Sequence, residues 1–137
     1  MSDELVRLIL AAGIAALVVV AVVVGRRLYA RLLSRHTGAA VGDLADRYGL
    51  QPGETTVLYF WTERCAQCVQ LQEPALEQLA GERGVSIRKL HAPKESDVLN
   101  RFNIATVPST IVVGPDLRVR KVNVGFADQE TLQQQLA

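Results

Sequence analysis

The pattern of hydrophobic and polar residues divides this chain into two unlike parts. Leu8 to Val24 is a run of 17 uncharged residues, LILAAGIAALVVVAVVV, and Arg7 and the two apolar residues before it lengthen the run to 20 if the arginine reaches toward the interface. A run without a polar face is too apolar for a domain of this size to cover. Neither the start, MSDEL, nor the following GRRLYARLLSR is typical of a cleaved signal peptide. The pattern predicts one transmembrane helix in residues 1–25, in contact with lipid through residues 5–25.

After residue 40 the pattern changes to short amphipathic segments. The apolar residues of VGDLADRYGL follow helical spacing and stop at Gly49. The run TTVLYFW, residues 55–61, is apolar on both faces, which is typical of a strand in the middle of a covered sheet. A helix is predicted over residues 68–79, with a kink at Pro74 because its missing N–H frees the carbonyl of Gln70. The apolar face of this helix is predicted to carry Cys68, Leu71, Ala75, Leu76 and Leu79.

The rest of the chain alternates between strands and helices. The pattern predicts a strand in GVSIRKLHA, a helix in ESDVLNRF, a hairpin of STIVV and RVRKVNV, and a last helix capped by Asp128. Strand, helix, strand in this order favours a parallel pair with a right-handed crossover. Residues 41–137 are therefore predicted to form an α/β domain with a mixed central sheet and helices on both faces. Residues 26–40 form a basic juxtamembrane segment and linker.

Charge adds an expected orientation in the membrane. The net charge is +1, and the folded part has no stretch of interleaved basic and aromatic residues, so a nucleic-acid partner is not expected. Arg7 is the one basic residue before the apolar run, whereas four arginines follow it: Arg26, Arg27, Arg31 and Arg35. Because basic residues are retained on the cytoplasmic side, a single-pass protein with its domain on the cytoplasmic face is predicted. The extracytoplasmic face is the alternative.

The candidate chemistry lies in WTERCAQC, which holds the chain's two cysteines. At a helix start, unpaired N–H groups and the helix dipole favour a thiolate. Cys65 lies at the loop end and Cys68 one turn inside, so we expect Cys65 to be the exposed, attacking thiol and Cys68 the shielded, resolving one. Arg64 would favour the Cys65 thiolate, and Glu63 would oppose it. No cofactor is expected.

Other uses of the cysteine pair stay open. A zinc site needs two more ligands, for which the chain offers only His36 and His91, so no metal site is predicted. Free cysteines are also often small buried apolar residues.

With these elements in this order, the sequence resembles the thioredoxin family. The resemblance is carried by FWTERCAQC, Pro74, Lys89, TVPST and Gly125. It covers about residues 41–137 and implies a thioredoxin-like fold with the activity of a thiol–disulfide oxidoreductase. Together with the predicted transmembrane helix, this gives a membrane-anchored oxidoreductase whose expected partners are a protein with a disulfide and an electron-donating reductase. The resemblance also implies that the Val107–Pro108 bond is cis and lies beside the cysteines, where it offers main-chain groups to a substrate strand, with Trp61 in the floor of the site.

Departures from the family pattern are expected to tune the redox chemistry. Tyr59 replaces a buried acid that helps to move the proton of the resolving cysteine, and Glu63 acting through water is a candidate for that role. Arg64 replaces a tryptophan, and Pro74 falls one residue later than usual after Cys68. The full set of expected tuning residues is Tyr59, Glu63, Arg64, Ala66, Gln67 and Lys89.

The missing acid favours a second hypothesis, a thioredoxin-fold binding or assembly module that recognises a partner strand but has little catalytic activity. A third is metal handling at the membrane by the two thiols.

Overall fold

The computed structural model describes residues 2–136, apart from the side chain of Leu33. Met1 and Ala137, the outermost residues of the predicted segments, lie outside this range. The chain divides into two compact units, up to residue 32 and from residue 33 onward.

Helix α1 runs from Asp3 to Ser34 and makes up nearly all of the first unit, continuing two residues past its boundary. At 1.5 Å per residue its 32 residues are about 48 Å long. Among the described residues it is the one helix long and apolar enough to cross a bilayer, with a mean hydropathy of 3.0 and no part of its apolar window buried. Length and composition of this kind fit a membrane anchor and also a signal sequence.

The second unit is built from four strands and short helices, in the predicted order. Helix α2, Ala45–Tyr48, follows a 3₁₀ turn and ends at Gly49, whose φ of +64° is the left-handed conformation of a glycine stop. A π-helical turn, Cys68–Gln72, leads into α3. The remaining elements are β1 Thr56–Trp61, α3 Glu73–Arg83, β2 Ser86–His91, α4 Ser96–Arg101, β3 Ser109–Val113, β4 Val119–Val124 and α5 Gln129–Gln135.

The strands form one mixed sheet in the order β2-β1-β3-β4. Strands β1 and β2 are parallel, with Tyr59 opposite Lys89 and Trp61 opposite His91. Strand β3 runs antiparallel to both β1 and β4. The predicted parallel pair, the hairpin and the central position of the first strand are confirmed.

Alternate residues of β1 serve two separate cores. Leu58 and Phe60 belong to the core beneath α2 and α4. Val57 and Tyr59 belong to the core beneath α3 and α5, together with Cys68. Because successive strand residues point to opposite faces, a strand between two helical layers must be apolar at every position. The predicted arrangement with helices on both faces is confirmed.

The predicted linker takes part in the second unit through main-chain hydrogen bonds. The N–H of Gly38 donates to the carbonyl of Val119 at 2.7 Å, and the N–H of Val119 donates to the carbonyl of Ala39 at 2.9 Å. Val41 donates similarly to Leu117 at 2.9 Å. These residues pair with the start of β4, at the end of the sheet opposite the cysteines.

Candidate redox site

The two cysteines lie just after the carboxyl end of β1, where the π-helical turn begins. Their sulfur atoms form a disulfide, with the Cα atoms 5.3 Å apart. Cys68 is fully buried, whereas Cys65 is partly exposed. The backbone N–H of Cys68 donates a hydrogen bond to Cys65 Sγ at 3.1 Å. The expected asymmetry between an accessible first cysteine and a shielded second one is therefore present.

The segment that precedes β3 comes to the same end of the sheet. The Val107–Pro108 peptide bond is cis, as the resemblance implied. Val107 and Cys65 both pack against the core cluster that contains Cys68. The carbonyl of Pro108 accepts a hydrogen bond from the N–H of Gly125 at 2.9 Å, which joins this segment to the loop after β4. The chain thus brings the cysteine pair and this proline together.

A carboxylate from the helix lies beside Tyr59. The buried Tyr59 hydroxyl donates to Glu73 Oε1 at 3.3 Å, and Lys89 Nζ lies 2.7 Å from the same oxygen. Burial first, and then the negative charge of Glu73, raise the pKa of Tyr59 above its usual value. Lys89 also lies over the ring of Trp61, 4.3 Å from its centroid. An open pocket of about 240 Å³ reaches this cluster from solvent.

Glu63 contacts a histidine at the end of β2. Its Oε1 lies 2.6 Å from Nε2 of His91, and this contact lowers the pKa of Glu63. The His91 ring in turn meets Trp61 edge to face, with centroids 5.4 Å apart. Around the cysteines, Arg64, Ala66 and Gln67 are exposed. The carboxylate that accepts a hydrogen bond from Tyr59 is that of Glu73.

Residues 47–137 match the family model of thioredoxin, over more than half of the chain. This chain belongs to the thioredoxin family. Among curated proteins, no relative matches its sequence.

Solved structures show the same fold as this thioredoxin domain at low sequence identity. A mutant thioredoxin from Halobacterium salinarum is 18% identical, with a TM-score of 0.57, and the match covers 71% of this chain and 83% of the other. Thioredoxin-2, described as a component of malaria parasite protein secretion machinery, is 20% identical, with a TM-score of 0.51 and coverage of 58% and 77%. A second malarial protein is 19% identical, with a TM-score of 0.53 and coverage of 60% and 92%.

The site residues predicted from the sequence do not include Gln72 and Glu73. Gln72 was not predicted to be buried, yet it is fully buried, whereas Leu71 is 47% exposed, contrary to the predicted face. The cause is the π-helical turn: its i→i+5 bond, from the N–H of Glu73 to the carbonyl of Cys68, delays the next inward position by one residue. The extra residue before Pro74 was the available signal. Glu73 carried no such signal, because its partner Tyr59 lies on another element.

The arrangement supports the chemistry of a thiol–disulfide oxidoreductase. The two cysteines stand at bonding distance, so the pair can exist as a dithiol or as a disulfide. Disulfide-containing proteins are the general class of substrate that a thioredoxin fold implies.

Proposed function

We propose that this protein is a membrane-anchored thiol–disulfide oxidoreductase that reduces or exchanges disulfides in protein clients. The observation that supports it best is the Cys65–Cys68 disulfide, with one accessible and one buried cysteine, beside the cis Val107–Pro108 segment. The N–H of Cys68 that points at Cys65 Sγ is placed to stabilise negative charge on that sulfur after reduction.

The proposed reaction transfers two electrons from the cysteine pair to the client. The Cys65 thiolate attacks one sulfur of the client disulfide, and a bond forms between them while the second client sulfur leaves as a thiolate and takes up a proton. Cys68 then loses its proton, and its sulfur attacks Cys65 Sγ. The Cys65–Cys68 disulfide forms as the first client sulfur leaves. An electron-donating reductase must return two electrons before the next cycle.

The client chain is proposed to bind across Val107 and Pro108, with Trp61 forming part of the contact. Trp61 is partly exposed and is held by two neighbours, His91 and Lys89. An aromatic ring fixed in this way offers apolar surface to a client with little loss of side-chain entropy. Arg64, Ala66 and Gln67 are proposed to tune the reaction from the exposed rim.

Helix α1 is proposed to anchor the protein in the membrane, with the thioredoxin domain on the cytoplasmic face. The length and apolar composition of the helix support a span, and the four arginines from Arg26 to Arg35 support this orientation. On that face the surrounding thiol pool keeps the pair reduced, so the protein would act as a disulfide reductase. On the opposite face the same pair would need electrons delivered across the membrane.

The test of the reaction is a trapped intermediate. In Cys68→Ser the resolving step is absent, so the client should accumulate in a disulfide with Cys65 that appears as a reductant-sensitive band on a non-reducing gel. Cys65→Ser is the matched control and should trap no client. If the double variant Cys65→Ala, Cys68→Ala retains full function in cells, the protein is a binding module and the redox proposal is wrong.

Orientation has its own measurement. After reduction with a membrane-permeant thiol, intact cells are treated with an impermeant maleimide, and the partly exposed Cys65 is the labelling site. Labelling only after lysis supports the cytoplasmic face, whereas labelling of intact cells places the domain outside.

A further inference from the structure

One fully buried polar side chain near the cysteine pair is an amide that the proposed reaction does not use. Gln72 is fully buried in the π-helical turn that begins at Cys68. Its Nε2 donates to the carbonyl of Ala127 at 3.0 Å, and its Oε1 accepts from the N–H of Ala127 at 3.0 Å. One side chain therefore satisfies both main-chain groups of a residue 55 positions away in the sequence.

Ala127 belongs to the loop that holds the Val107–Pro108 segment. Two residues earlier, Gly125 donates its N–H to the carbonyl of Pro108 at 2.9 Å. Gly125 has a φ of +91°, a conformation that favours glycine, so the path of the loop is specific at this point. The connection from the redox turn to the proline thus runs through Gln72, Ala127, Gly125 and Pro108.

We propose that Gln72 is a positioning residue that sets the Val107–Pro108 client-binding segment against Cys65, by fixing the loop between β4 and α5. This role rests on the proposed function, because it concerns the docking of a client polypeptide. The π-helical turn contributes to this role, because its shifted register is what turns the amide of Gln72 inward.

The physical reason is the need to satisfy buried main-chain groups. Ala127 is buried, so without the amide its N–H and carbonyl have no partner in the interior, which is costly. The loop is then expected to shift outward until water reaches these groups. Because Gly125 lies on the same loop, its hydrogen bond to Pro108 would lengthen or break, and the client-binding segment would lose its support.

A positioning role and a purely structural role predict different kinetics. If Gln72 only stabilises the fold, its loss lowers the melting temperature but leaves the KM of the folded protein unchanged. If it positions the client-binding segment, the KM for a polypeptide disulfide rises, while the rate constant for a small aromatic disulfide is unchanged because that substrate reaches Cys65 without docking as a strand.

The experiment uses the full chain in detergent with a small dithiol as the electron donor, whose direct reaction with each substrate is subtracted. The two substrates are an oxidised peptide of about ten residues and a small aromatic disulfide. Gln72→Met keeps the length of the side chain and removes both hydrogen bonds. The expected result is a KM for the peptide raised about fivefold, the effect of weakening one hydrogen bond by roughly 1 kcal/mol, with kcat and the small-substrate rate constant retained. Gln70→Leu changes an exposed glutamine on the same turn and is the matched control.

Gln72→Glu provides a second variant with an internal rescue. A protonated glutamic acid can both donate to and accept from Ala127, whereas the carboxylate can only accept. Burial favours the neutral acid, so the variant should bind Ala127 as the wild type does at low pH. The ratio of the variant's peptide KM to the wild-type KM should therefore be near one at low pH and rise as pH increases.

Each outcome decides between the alternatives. An unchanged peptide KM in folded Gln72→Met, or equal losses with both substrates, overturns the positioning role while leaving the proposed function intact. If Gln72→Met does not fold, a pH-independent KM ratio in Gln72→Glu overturns it. A wild-type chain that fails to reduce either substrate overturns the proposed function itself.

Discussion

Replacing Glu73 or Lys89 is expected to shift the reduction potential of the cysteine pair in opposite directions. The two side chains form an ion pair of 2.7 Å, and the N–H of Glu73 bonds to the carbonyl of Cys68 across the π-helical turn. Reduction can place negative charge on sulfur, which the carboxylate opposes and the ammonium group favours. Glu73→Gln leaves the lysine unopposed and should raise the potential, whereas Lys89→Met leaves the carboxylate unopposed and should lower it.

The expected size follows from Coulomb's law. For a charge at a separation on the order of 10 Å from the sulfur, and an effective dielectric constant of about 20, Coulomb's law gives about 1.7 kcal/mol. For a two-electron couple this corresponds to a shift on the order of 35 mV. The shift in Lys89→Met should be the smaller one, because the lysine side chain is 47% exposed, against 23% for Glu73, so solvent screens the lysine charge more strongly.

The assay is equilibration of the full chain with a series of thiol–disulfide redox buffers, followed by separation of the oxidised and reduced forms. The double variant Glu73→Gln, Lys89→Met is the control, since it removes both charges and should return near the wild-type potential. Measurements at a pH low enough to keep both thiols protonated should abolish the difference between variants. Shifts of the same sign in the two single variants would refute the electrostatic reasoning.

Two further predictions concern stability. The pKa values of Tyr48 and Tyr59 are raised, chiefly by burial, so above about pH 10 the unfolded chain releases protons that the folded chain retains. The free energy of unfolding should therefore fall by up to about 1.4 kcal/mol per pH unit for each tyrosine. In urea unfolding from pH 9 to 11, this free energy should fall less steeply with pH in Tyr59→Phe, and an equally steep fall would contradict the prediction. Leu79→Ala should lower the free energy of unfolding by about 2–5 kcal/mol because Leu79 is fully buried, whereas Leu71→Ala should lower it by less than about 1 kcal/mol. Equal losses of stability in urea unfolding would mean that the register of the helix is different.

The elements of the fold could be predicted because each one has a local signal. The strand TTVLYFW is apolar at every position because β1 lies between two helical layers, and Gly49 and Asp128 mark a helix end and a helix start. The cysteine asymmetry is likewise local, since it depends on the position of each residue along a helix start.

The contacts around the site depend on residues that are distant in the sequence. The sequence does not predict a carboxylate beside Tyr59, because Glu73 reaches the tyrosine hydroxyl only when α3 packs on the sheet. The inward turn of Gln72 depends on a π-helical turn, which arises from one residue of extra length rather than from any residue type. Pairing of Glu63 with His91 required the parallel register of β1 and β2.

The pairing of residues 38–41 with the start of β4 has a practical consequence for the sheet edge. An unpaired edge strand presents free N–H and carbonyl groups to other chains and invites aggregation. Here Gly38, Ala39 and Val41 cover the first part of that edge with three main-chain hydrogen bonds. A shortened chain that begins at Val41 would uncover it and should self-associate, whereas one that begins at His36 keeps the cover. A shortened chain that stays monomeric must therefore keep the residues that cover the edge of β4, even though they lie beyond the end of helix α1.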